Sequence, residues 1–347
     1  MHSNKADMTM LHSFMAPATP SSTRRRVLQQ TALASTAIAL PWASLAQPAW
    51  PAKPVRFVVP FVPGGTSDIV ARQVAQELTK QLGVAVLIDN KAGGGGVPAM
   101  QEVARSAPDG YTVILGHVGS LAVNPYIFAN TGYDVNRDFM PVTLLAKIPS
   151  LFVIHPDVPA RDFREFVAHV KKNPGKLNYA SAGNASAGHL AMEYLKLATG
   201  MFMTHIPYRG TGAAMTDLLA GRTQAFSAGT PALLQYIRSG KLRAIAVGTP
   251  ARISALPDVP TVAEMGYRNF ESVQWYGMLA PAGTPAAVVQ RLQEECAKAL
   301  QSASTTERFA NDSATIGGQP SAEFAAFIRR EQAVWKDIVV KAKIKPD

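Results

Sequence analysis

Two short stretches carry the residue types that hold a small anion without a cation. In the first, Pro63-Gly64-Gly65-Thr66-Ser67-Asp68 follows the apolar run "VRFVVPFV" and opens the helical pattern "IVARQVAQELTKQLG". In the second, Ser181-Ala182-Gly183-Asn184-Ala185-Ser186-Ala187-Gly188-His189 stands in the same position between "LNYA" and another helical pattern. A strand that breaks into small residues and then starts a helix points backbone N–H groups, and the positive end of the helix dipole, at a ligand. The competing reading of the first loop is a plain turn, with Thr66 or Ser67 capping the helix and Asp68 improving its first turn. A nucleotide loop would end in Gly-Lys-Ser/Thr, and this one does not. The "GGGG" run at 93–96 also lacks the frame of a dinucleotide site.

Covalent chemistry finds less support. The seven histidines are scattered, with no pair at the helical spacing of a metal site. There is no G-x-S-x-G elbow for a serine nucleophile. Ser186 and His189 are too close in sequence to form a dyad oriented by a third group. No catalytic residue and no metal ligand is assigned. His189, in the first turn of a helix, caps, packs or contacts ligand. Tyr208-Arg209-Gly210 ends a strand, and Arg209 either grips a carboxylate with two parallel bonds or points to solvent. Phe61, Tyr126, Tyr208, Trp275 and Tyr276 are the aromatic candidates for the mouth of a site, each with a core alternative.

These loops need elements to hold them. "VRFVVPF", "VAVLIDN" and "GYTVILG" read as strands. Residues 68–82 read as a helix with Val70, Val74, Leu78 and Leu82 on one face and Gly83 at its end. Pro98 opens a further helix. A second series runs from "LFVIH" (151–155) through helix 161–173, "LNYASAG", a helix from Ser186, "THIPY", helix 211–220, "TQAFSAG", helix 231–239 and "LRAIAVG". Two longer helices follow near 285–303 and 321–342. Strand–helix alternation predicts α/β units with a largely parallel sheet, here in two halves. Ligands of such sheets bind beyond the carboxyl ends of the strands, so the two loops would face each other across a cleft.

The N-terminus reads as an address label. Thr23-Arg24-Arg25-Arg26 precedes the weakly apolar run "TALASTAIALPWASLA", with small residues at Ser44 and Ala46. This describes a signal peptide (1–46) cleaved after Ala46, and the paired arginines also resemble a twin-arginine export signal. Losing four basic residues and one acidic residue takes the formal net charge from +10 to +7. The charges are spread, without the basic and aromatic interleaving of nucleic-acid modules. A single cysteine, Cys296, excludes an internal disulfide, and its spacing with Val289, Leu292 and Leu300 places it on an apolar helix face.

The quoted segments together resemble one family. "WPAKPVRFVVPFVPGGTSDIVAR", "APDGYTVILG", "YASAGNASAGHLAMEYL", "IPYRGTGAAMTDLLAGR", "LPDVPTVAEMGY" and "WYGMLAPAGTP" run in the order found in the substrate-binding proteins of tripartite tricarboxylate transporters, the TctC or Bug family. The resemblance covers nearly all of the chain after residue 46. It implies a type II periplasmic-binding-protein fold, two α/β lobes around a ligand cleft. Lobe 1 would comprise 47–148 and 273–347, and lobe 2 would comprise 149–272.

By the same resemblance the ligand is a small carboxylate held by backbone amides, hydroxyls and ordered water, with no cofactor. Gly64, Gly65, Thr66, Ser67 and Asp68 would form one side of the cradle, with Asp68 tying the loop together. Ser120 would line the first-lobe wall, and Phe61, followed by loop residues, would be partly exposed near the mouth. Ser181, Gly183, Asn184, Ala185, Ser186 and His189 would form the second-lobe loop, followed by Tyr208, Arg209 and Gly210. Three segments depart from the family pattern: Gly96-Val97-Pro98, the Ala185 and Gly188 positions, and "SAGT" at 227–230. All are wall positions, so they bear on which ligand is bound. The implied partners are the membrane subunits of such a transporter, with the receptor a periplasmic monomer that binds no nucleic acid. A receptor reporting to a membrane sensor is the second reading, and an exported α/β hydrolase the third.

Overall fold

The structure, a computed structural model, describes residues 50–345. β1 (Val55–Val59) leads through the first glycine loop into α1 (Thr66–Leu82), and β2 (Val86–Asn90) follows. α1 buries Val70, Val74 and Leu78, and Gly83 closes it at φ 69°, a left-handed conformation that a glycine reaches without steric cost. α2 (Val97–Ala104), with Pro98 in its first turn, precedes β3 (Thr112–His117). β4 (Phe139–Ile154) then opens the series α3 (Phe163–Lys172), β5 (Asn178–Ser181), α4 (Ala187–Thr199), β6 (Thr204–Pro207) and α5 (Thr211–Leu219). β7 (Ala225–Gly229), α6 (Thr230–Arg238) and β8 (Arg243–Val247) complete it. β9 (Val273–Pro281), α7 (Ala286–Leu300), α8 (Ala303–Asn311), β10 (Thr315–Ile316) and α9 (Ser321–Ala342) close the chain.

The strands lie in the order β2-β1-β3-β9-β4-β7-β5-β6, with β8 and β10 also pairing with β4. β1 runs parallel to β2 and β3, and β5 parallel to β6 and β7. Between these sets β9 and β4 pair antiparallel. The sheet is therefore mixed, and the largely parallel sheet expected from the sequence exists only within each half. The cause is β4, whose first eleven positions run along β9 and whose last five (150–154) run along β7. Sequence pattern reveals only its end, because Pro141 and Pro149 interrupt the run. The strand absorbs Pro141 at a register shift, and Pro149 sits where β4 leaves β9 for its next partner.

Each half has its own core. α1 and α7 cover one face of the first half, with Leu78, Val289, Leu292 and Cys296 packed around Phe57 and Val113. Cys296 is fully buried, as its spacing predicts, and burial pushes its thiol up to about 12. α2 and α9 cover the other face, where Phe324, Ile328 and Trp335 meet Val58, Ile114 and Trp275. In the second half Phe152, Phe163, Phe166 and Tyr179 form one cluster, and Leu151, Leu218, Phe226 and Leu233 another. Each such side chain contributes about 1.5–3 kcal/mol by burial. The short helix α8 was not legible from pattern. It begins at Ser302, whose hydroxyl accepts the Thr305 N–H at 3.3 Å.

Candidate functional site

α1 opens without a side-chain cap. Gly65 takes the cap position, and Thr66 and Ser67 are already helical, so neither caps the helix as the plain-turn reading requires. The first N–H groups of a helix have no partner within it. Gly65, Thr66 and Ser67 line a cavity of about 40 Å³, room for roughly three water-sized positions. On its opposite side α4 begins. Ser186 is its cap, its Oγ accepting the His189 N–H at 3.3 Å, and Ala187 and Gly188 also line the cavity. Two helix N-termini, one from each half of the sheet, thus meet at one small space.

α5 adds a third helix start, Gly210 and Thr211, and strands supply much of the remaining wall. His117 ends β3, Ser227 lies in β7, and Gln274 and Tyr276 lie in β9. Nε2 of His117, Oγ of Ser227 and Nε2 of Gln274 are buried with no hydrogen-bond partner among the described residues. Buried polar atoms are nearly always paired, so three orphans around one cavity are unusual. No Asp, Glu, Lys or Arg among the described residues lines it.

Phe61, Val62, Ala182 and Gly210 also line an outer chamber of about 620 Å³. Its walls are Gly93 to Gly96, Pro60, Gly183, Asn184, Pro207, Tyr208 and Arg209. Arg209 is exposed and is the one charged residue among the described residues of that lining. Tyr208 is tied down, its hydroxyl donating to Asp217 at 2.7 Å, and burial with that carboxylate raises it to about 12. Asp217 also takes Arg222 at 2.7 Å.

Ten residues expected at the site reach these walls. Phe61, Gly65, Thr66, Ser67, Ser186 and Gly210 line the cavity, and Gly183, Asn184, Tyr208 and Arg209 the chamber. Six others line neither, for local reasons. Gly64 spends its N–H on Asp68 at 3.0 Å. Asp68 is buried and also accepts from Arg72 (2.9 Å) and Asn90 (2.9 Å), so it braces the loop. Burial raises its pKa, but these hydrogen bonds more than offset that and hold it below the ordinary value. Ser120 folds back on its own turn, its hydroxyl accepting the His117 N–H at 3.2 Å. Ser181 bonds His205 Nε2 at 2.7 Å and accepts the Gly183 N–H at 3.1 Å. Ala185, in left-handed conformation at φ 57°, gives its N–H to His189 Nδ1 at 3.1 Å. His189 turns inward and stacks on His205 at 4.1 Å, and burial drops it to about 4.

Sequence reasoning missed His117, Gln274, Thr211 and Val62. His117 directly follows the strand "YTVILG", three residues before Ser120. Gln274 directly precedes the quoted "WYGMLAPAGTP". Ser227 opens the "SAGT" segment already marked as a wall position, and Tyr276 was among the aromatic candidates. No group of three or more His, Cys, Asp or Glu able to hold a metal stands among the described residues.

The model of the tripartite tricarboxylate transporter family receptor matches residues 70–344. A Rhodopseudomonas palustris protein solved with adipate superposes with TM-score 0.83 and 34% identity, over 86% of this chain and all of that one. The periplasmic binding protein BugD gives 0.82 and 35%, over 86% and 100%. MatC from Rhodopseudomonas palustris, solved with bound malate, gives 0.79 and 32%, over 84% and 100%.

Proposed function

This chain belongs to the tripartite tricarboxylate transporter receptor family, and on that footing we propose that it captures one small carboxylate in the cavity between α1 and α4. The observation that carries this reading is the cavity's polarity. Helix N-termini from both halves border the space, three side chains with a partnerless buried atom line it, and no carboxylate side chain among the described residues does. An ionised carboxylate is acceptor-only, with about four lone-pair sites, and suits such a wall. Each helix end adds the equivalent of about half a positive charge. No lysine or arginine is required in the cavity itself. Adipate and malate in two relatives support the ligand class.

Residues 50–148 and 273–345 would move as one lobe and 149–272 as the other, hinged where β4 passes Pro149 and β9 begins at Val273. The outer chamber would take the remainder of the ligand. The loaded receptor would deliver it, as a periplasmic monomer, to the membrane subunits of a tripartite transporter. Its export signal falls in residues 1–46, outside the described residues. The family is one of solute receptors, and the cavity is assigned binding rather than turnover.

A thermal-shift screen tests this with acetate, benzoate, malate, adipate and citrate, each beside its amide. An acid at a hundred times its dissociation constant should stabilise by about 2.7 kcal/mol, and its amide should not. Stabilisation by the amides alone, or only when a divalent cation is added, would contradict the reading.

A further inference from the structure

His117 is 1% exposed and its imidazole is held by two contacts. Its Nδ1 accepts the Gly119 N–H at 2.9 Å, and the ring of Phe61 meets it edge-on at 4.7 Å. Its own backbone N–H is bound by Ser120 Oγ. An imidazole nitrogen that accepts a hydrogen bond carries no proton, so the ring proton sits on Nε2. That is the atom left without a partner beside the cavity. Burial lowers the group to about 3, with no charged neighbour contributing, so the ring is neutral at physiological pH.

Gln274 shows the same logic. Its Oε1 accepts the Tyr276 hydroxyl at 2.7 Å, and its Nε2 is left without a partner among the described residues. Ser227 adds a hydroxyl with no partner among the described residues. The three side chains come from β3, β9 and β7, so they are fixed by the sheet rather than by loops.

We propose that His117, Ser227 and Gln274 form the specificity-determining floor of the cavity, with His117 a neutral donor whose Nε2–H reads one oxygen of the ligand's ionised carboxylate. This rests on the carboxylate reading above and adds what that reading does not contain: which side chains recognise the group. Nδ1 of His117 is already occupied, so the imidazole can offer a ligand only its Nε2–H donor. The contact is a hydrogen bond to a charged group rather than an ion pair.

The test uses the full mature protein and the same five acids. In a long-range 1H–15N spectrum of the ligand-free protein at pH 7, His117 should show a neutral ring protonated at Nε2. An imidazolium, or a proton on Nδ1, overturns the proposal whatever the ligand. His117→Leu should weaken the acid that binds wild type by about ten- to a hundredfold. His117→Gln, which keeps a neutral N–H donor, should restore most of that loss. Equal binding by wild type and His117→Leu overturns the proposal while leaving the carboxylate reading intact. If none of the five acids binds wild type, that reading falls and this one with it. Should His117→Leu fail to fold, His117→Gln and the spectrum still decide.

Discussion

The space beside Gly119 is filled by the carbonyl of Ala185, so a Cβ built on Gly119 would stand 2.1 Å from that oxygen. Gly119 follows β3 in the first half of the sheet, and Ala185 precedes α4 in the second. A similar approach brings Gly210 against Val62, at 2.0 Å from a built Cβ. The two halves of the sheet therefore meet through positions where a methyl group has no room.

Gly119→Ala follows directly. Its backbone is not left-handed, so the residue fits an alanine conformation, and the cost falls on the contact with Ala185 and on His117 Cε1 at 2.4 Å. Overpacking of this kind costs about 1–3 kcal/mol. If it acts on the ligand-bound arrangement, affinity should fall by about ten- to a hundredfold, mainly through faster release. Stopped-flow dissociation checks this, and unchanged release would show that the two segments separate freely.

Ser181→Ala and Ser186→Ala should both destabilise. Ser186 caps α4, and losing such a cap costs about 1 kcal/mol. Ser181 holds His205 Nε2 and Gly183 N–H, so its removal leaves buried groups unpaired at about 1–3 kcal/mol. Urea unfolding should rank Ser181→Ala at least as damaging as Ser186→Ala. The sequence taken alone suggests the reverse, with Ser181 a direct ligand contact and its loss felt mainly in affinity.

That reversal shows what a sequence can carry. The strand–loop–helix units were legible because hydrophobic spacing and glycine placement are local: Val70, Val74, Leu78 and Gly83 declare α1 by themselves. The loops facing the cavity were legible for the same reason. What each side chain in a loop does was not, because Ser181 turns to His205, 24 residues away, while Ser186 caps its own helix. β4 hid behind its two prolines, since only pairing with β9 reveals how the strand tolerates them. His117 and Gln274 hid because an orphaned polar atom is a property of packing, with no signature in spacing.

Acid should destabilise the fold above the carboxylate range. Burial lowers His117 to about 3, His189 to about 4 and His205 to about 3. The neighbouring His189 also depresses His205. In the unfolded chain these rings take up protons near 6.5, whereas in the fold they stay neutral until about 3–4. Their contribution is therefore fully present above about pH 7 and lost as pH falls through 6.5 toward 4. Each adds up to about 1.4 kcal/mol per pH unit in that window. Urea unfolding at a series of pH values measures the slope, and stability that stays flat from pH 7 to 5 would mean the three rings are not buried as described.

The central claim is that the cavity between α1 and α4 holds one ionised carboxylate without a metal. Isothermal titration of the mature, chelator-treated protein with malate and adipate, and separately with their diamides, tests it most directly. The account predicts saturable binding of at least one acid at one site per chain, unchanged by added magnesium or calcium, and no binding of either diamide. Binding of a diamide as tight as its acid, or binding of the acids that appears only when a divalent cation is restored, would contradict it.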